Sequence, residues 1–131
     1  MILVDTSVLL EFLRGKSGLG VSKFRQVLER GMPYAICPLV YQEVLQLAAS
    51  EQDLERLKSY LGTIPCLDLK AGRESYARAA EIHAKCRQAG RTMTTIDCLI
   101  AQIAIENDVP LLHNDADFDR IAAVVKELRI Y

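Results

Sequence analysis

Short apolar runs alternate along this chain with stretches of helical periodicity, and no other feature narrows its choice of fold so far. Ile2, Leu3 and Val4 form the first run, residues 34–37 the second, residues 65–69 the third and residues 110–113 the fourth. Each is too short for a helix and suits a strand buried on both faces. Between the runs, apolar residues recur at helical spacing: Val40, Val44 and Leu47, then Leu54, Leu57 and Leu61, then Leu99, Ile100, Ile103 and Ala104.

The punctuation agrees with that division. Asp5, Thr6 and Ser7 offer caps for a helix through Leu13 that Gly15 and Gly18 end, and Gly31 with Pro33 stops a second helix over residues 21–30. Pro38 suits the first turn of the next helix. Residues 71–89 read as a long helix closed by Gly90, and Thr94 or Thr95 can cap the one after it. Residues 117–123 form at most a short helix, and residues 128–131 add an edge strand. Strands alternating with helices predict an α/β fold, one domain over residues 1–131, with a mostly parallel central sheet of roughly four to five strands flanked by helices.

Composition narrows the function. A chain of 131 residues, half hydrophobic and a quarter charged, buries an ordinary core without staples. A net charge of −1 and a pI near 6.1 exclude a broad basic grip on nucleic acid, though not a local basic face. Cys37, Cys66, Cys86 and Cys98 stand singly, so the expectation is buried, reduced thiols in a cytoplasmic protein. The opening run lacks a basic leader, and no stretch approaches the ~20 apolar residues of a membrane span.

Against this apolar background the acids stand out. Asp5 ends the first run, Glu43 and Asp97 lie early in helices, and Asp115 with Asp117 follows the fourth run. In open α/β sheets, functional groups gather outside the carboxyl ends of the strands, so four separate segments can deliver carboxylates to one rim. Each acid also has a plainer role. Asp5 suits an N-cap, Asp97 a helix first turn, Glu43 an exposed helix face, and Asp115 and Asp117 a turn. Gathered together they would repel, and a divalent cation relieves that repulsion. Oxygen-only donors favour Mg²⁺ or Mn²⁺, and His83 and His113 have no partner at zinc spacing. Thr6, Ser7 and Thr95 either cap helices or position a water or phosphate, and Asn114 is a turn residue able to orient an acid. Lys85, Arg87 and Arg91 are either a solvated helix terminus or a phosphate-binding face.

The segments MILVDTSVLLEFLRG, VYQEVLQL and TTIDCLIAQIAIENDVPLLHNDADFDRIA together resemble the PIN-domain ribonucleases, and within them the VapC toxins of toxin–antitoxin pairs. The resemblance spans nearly the whole chain. It implies metal-binding acids at Asp5, Glu43, Asp97 and Asp115, Asp117 contributing, and a nearby hydroxyl at Thr6 or Ser7. It also implies a Mg²⁺- or Mn²⁺-dependent endoribonuclease, a homodimer, an RNA substrate and a VapB-like antitoxin partner. His113 departs from the pattern, standing where many members carry Thr or Ser, and Asp119 matches a common but less essential position. Two alternatives share the fold: a catalytically silent PIN-like protein-binding module, and a housekeeping PIN nuclease of RNA processing. A phosphotransfer receiver domain fits poorly, because it wants an adjacent acid pair after the first strand and a late Lys.

Overall fold

The strand runs meet in one parallel sheet. The computed structural model describes all 131 residues and places β1 (Ile2–Val4) between β2 (Tyr34–Ala35) and β3 (Leu111–Leu112). Both neighbours run parallel to β1, with Leu3 opposite Ala35 on one side and Leu111 on the other. All three β1 residues are buried, as a central strand covered on both faces requires.

Seven helices connect and cover these strands: α1 (Thr6–Leu13), α2 (Leu19–Glu29), α3 (Pro38–Leu45), α4 (Glu51–Leu61), α5 (Arg73–Gln88), α6 (Thr95–Glu106) and α7 (Ala116–Val124). They touch in two groups, α1 with α2 and α3 with both α1 and α4, then α5, α6 and α7 with one another. The chain leaves β1 toward β2 and later returns to the far side of β1 as β3. Right-handed crossovers in opposite directions put the two helix groups on opposite faces of the sheet. The strand order reverses at β1, so a crevice opens beyond the carboxyl ends of β1 and β3.

The sheet is narrower than the sequence predicts. Residues 65–69, expected as a third strand, and 128–131, expected as an edge strand, each contribute only a single parallel bridge, Ile36 with Cys66 and Leu111 with Ile130. At the first edge Ile36 donates to the Pro65 carbonyl at 3.0 Å and accepts from Leu67 at 2.8 Å. Pro65 brings no N–H of its own, so the ladder stops there. At the other edge Leu111 is clasped the same way by Arg129 and Tyr131. A second difference is α7, nine residues long where at most a short helix was predicted, because Asp115 caps it and Phe118 and Ile121 anchor it in the core. Cys66 is exposed, against the expectation of four buried thiols, while Cys37, Cys86 and Cys98 are buried. No helix is long and apolar enough to cross a membrane.

One close approach locks the helices to the site. A side chain on Gly20 would meet a Val8 methyl at 3.0 Å, the Asn114 Cβ at 3.3 Å and the His113 carbonyl at 3.6 Å. Gly20 thus lets α2 press on both α1 and the loop after β3. Gly20→Val is expected to lower stability by about 1–3 kcal/mol through overpacking, read by chemical denaturation. Wild-type stability in that variant would show that the loop yields freely.

Candidate metal centre

Each acid reaches the crevice by a local rule. Asp5 follows β1 directly and caps α1, its Oδ2 accepting from the Ser7 amide at 3.0 Å and the Ser7 hydroxyl at 2.6 Å. Asp115 caps α7, accepting from the Asp117 amide at 2.9 Å. Asp97 stands in the first turn of α6, where the helix dipole favours a carboxylate, and its amide donates to the cap Thr94 at 3.1 Å. Glu43 comes from α3, tied to α1 by the Thr6 hydroxyl, which donates to Glu43 Oε1 at 3.0 Å. The caps expected on plain grounds are therefore real. They coexist with convergence.

The tightest group is Asp97, Asp115 and Asp117, whose carboxylate oxygens lie within 4.8 Å of one another. Asp5 shares the field of this trio through Asp97 and Asp115, and Glu43 in turn feels Asp5. Burial pushes the Asp97 carboxyl up to about 6, with Asp115, Asp5 and Asp117 adding to the rise and Thr94 opposing it. Burial likewise raises Asp5, which is only 5% exposed, against the Ser7 and Thr6 donors, and Asp115 pushes the same way. Glu43 is raised by burial and by Asp5, with the Thr6 hydrogen bond opposing. Five carboxylates thus sit where only one, Asp117, has a cation close at hand, Arg120 at 2.7 Å. Unrelieved charge among hard oxygen donors fits a divalent metal ion.

Hydrogen bonds then brace the two strand ends together. The Ser7 hydroxyl, while donating to Asp5, accepts from the Asn114 amide at 2.9 Å, and Asp5 itself donates its amide to the Leu112 carbonyl. The Asn114 side chain donates to Glu11 Oε2 at 2.8 Å. Of the two caps foreseen for α6, Thr94 is the one used, while Glu11 escaped sequence reasoning. Glu11 meets Asn114 across 103 residues, so no local spacing betrays it, whereas the Thr94-to-Asp97 spacing is an ordinary cap signature.

Some expected residues fall elsewhere. Thr95 is not the cap; it lines an apolar cleft with Tyr76, Ala79, Ala80, Cys98 and Leu99. The basic trio also divides. Lys85 lines a groove with Glu81, Glu106 and Glu127, a poor setting for phosphate, and Arg87 is exposed. Arg91 shares a different groove with Arg120, the residue paired to Asp117.

The comparisons with known proteins agree with this construction. A family model described as the PIN domain matches residues 2–124, and the chain belongs to the PIN-domain family. Ribonuclease VapC11 of Mycobacterium tuberculosis is 33% identical over 126 residues, covering 95% of this chain and 93% of that protein. Within the family, therefore, this chain falls among the VapC proteins. Two solved structures share the fold. VapBC2 from Rickettsia felis, bound to a DNA fragment from its promoter, superposes with a TM-score of 0.75 at 20% identity over 100% of this chain and 98% of that one. VapBC-1 from nontypeable Haemophilus influenzae gives a TM-score of 0.74 at 18% identity over 100% and 97%.

Proposed function

We propose that this protein is the toxin of a type II toxin–antitoxin pair, a metal-dependent endoribonuclease built as one PIN domain over residues 1–131 and working in the cytoplasm. The observation that carries the reading is the convergence of Asp5, Glu43, Asp97, Asp115 and Asp117 on one crevice, in a chain 33% identical to a named VapC ribonuclease. Asp97, Asp115 and Asp117 offer the nearest oxygens for Mg²⁺ or Mn²⁺, with Asp5 beside them. A bound ion of this kind supplies charge stabilisation at a phosphoryl oxygen and makes water a nucleophile near neutral pH.

The chain's own groups do the rest. Thr6 holds Glu43 toward Asp5, leaving a raised carboxylate suited to take a proton from water. Ser7 fixes Asp5 and the Asn114 backbone in one geometry. Arg120, paired with Asp117, and Arg91 in the same groove as Arg120 offer cationic contacts to the phosphates of an RNA strand. A VapB-like antitoxin would cover the same crevice, where a guanidinium pairs with carboxylates that otherwise hold metal. The exposed Tyr76 and Ile96, near the apolar cleft of α5 and α6, give a homodimer a surface to bury.

The test is cleavage of a mixed single-stranded RNA by the purified full chain with Mg²⁺, with Mn²⁺ and with EDTA. Cleavage is expected with either ion and none in EDTA. Equal cleavage in EDTA would remove the metal from the reading. No cleavage and no growth arrest on induced expression would instead favour the silent binding module.

A further inference from the structure

His113 occupies a position the metal reading leaves unused, and its surroundings are unusually well defined. Its side chain is 6% exposed and packs against Phe118, ring centroids 5.3 Å apart. Nδ1 accepts a hydrogen bond from the Asp115 amide at 3.1 Å, and Nε2 lies 3.1 Å from Asp119 Oδ1. A backbone amide only donates, so Nδ1 carries no proton and the ring proton sits on Nε2, directed at Asp119.

We propose that His113, held in this tautomer by Asp119, is a positioning residue for Asp115 and Asp117. The contact from Nδ1 to the amide two residues on reproduces the turn that an Asn or Ser side chain makes at the same spacing. Here the turn carries a second anchor. Asp119 belongs to α7 itself, so the helix reaches back through the imidazole and fixes the backbone that opens its own first turn. That first turn presents two of the three clustered carboxylates. The neighbouring backbone is fixed from the other side by Ser7 and Glu11, acting on Asn114. The loop after β3 is thereby clamped from α7 on one side and α1 on the other.

This inference rests on the reading of Asp115 as a metal-holding acid. Two measurements on the full chain separate it from that reading. Long-range ¹⁵N–¹H spectra of the metal-free protein are expected to show His113 as a single Nε2–H tautomer, mixed in Asp119→Ala. A wild-type Nδ1–H tautomer would overturn the proposal, and a pure Nε2–H form in Asp119→Ala would strike out the part given to Asp119. Mn²⁺ affinity, by titration calorimetry, is expected to weaken about tenfold in His113→Leu. His113→Asn keeps an acceptor where Nδ1 lies and is expected to stay within about threefold of wild type. Equal losses in the Leu and Asn variants, or none in either, would overturn the positioning role. Failure of the unsubstituted protein to bind Mn²⁺ would overturn the metal reading and this role with it, while the tautomer spectra still judge the hydrogen bonds.

Discussion

Asp97→Asn is expected to abolish most RNA cleavage and, in the same molecule, to make the metal-free protein more stable. The loss of activity should be on the order of 10²-fold or more, the scale of removing one preorganised electrostatic group from an active site. The gain in stability follows from the raised Asp97 carboxyl, held up at about 6 chiefly by burial and further by Asp115, Asp5 and Asp117. At neutral pH that charge is borne at a cost that the amide avoids. Asn forfeits some favourable interaction with the α6 dipole, a smaller effect of about 0.3–1 kcal/mol. A rise in the metal-free melting temperature of roughly 2–4 °C is the expected balance. A folded variant that cleaves at the wild-type rate, or one that melts lower, would remove Asp97 from the centre of the site.

The second large effect lies in the response to pH with and without metal. The folded Asp97 carboxyl sits at about 6 and its unfolded counterpart at 3.8, so between those values the folded state binds more protons. Stability of the metal-free protein therefore falls as pH rises through that window, and the raised Asp5 and Glu43 contribute with the same sign. Metal reverses the trend, because it binds the ionised carboxylates and competes with their protons. With free Mn²⁺ at about 100 times its Kd, the added stability is about 2.7 kcal/mol. That increment is expected in full near pH 8 and to dwindle below about pH 6. Thermal melts with Mn²⁺ and with EDTA across this range measure it directly. An increment equal at pH 5 and pH 8 would mean that the bound ion does not engage these acids.

Much of this could be read from residue order alone, and the failures share a cause. The strand–helix alternation, the parallel sheet and the convergence of acids all rest on local periodicity and on the rule that sites form at strand ends. Residues 65–69 were legible as a strand and 128–131 as an edge strand, yet pairing depends on a partner's donors. Each keeps only one bridge, the first because Pro65 has no N–H to extend the ladder. Asp117 was legible only as a further contributor beside the four main acids. The cap at Asp115 turns it back into the closest trio of carboxylates. Thr95 and Lys85 have the right chemistry in sequence but face other surfaces, a matter of helix rotation that spacing alone left open. Glu11 acts across 103 residues, beyond the reach of any motif.

The brace between Ser7 and Asn114 joins residues 107 positions apart, and its consequence concerns time as much as shape. A chain still being synthesised displays Asp5 well before Asp115, Asp117 and the strand that precedes them. Until then the loop after β1 lacks half its partners and the acid cluster does not exist. The trio of Asp97, Asp115 and Asp117 comes together only when the loop after β3 closes onto the one after β1.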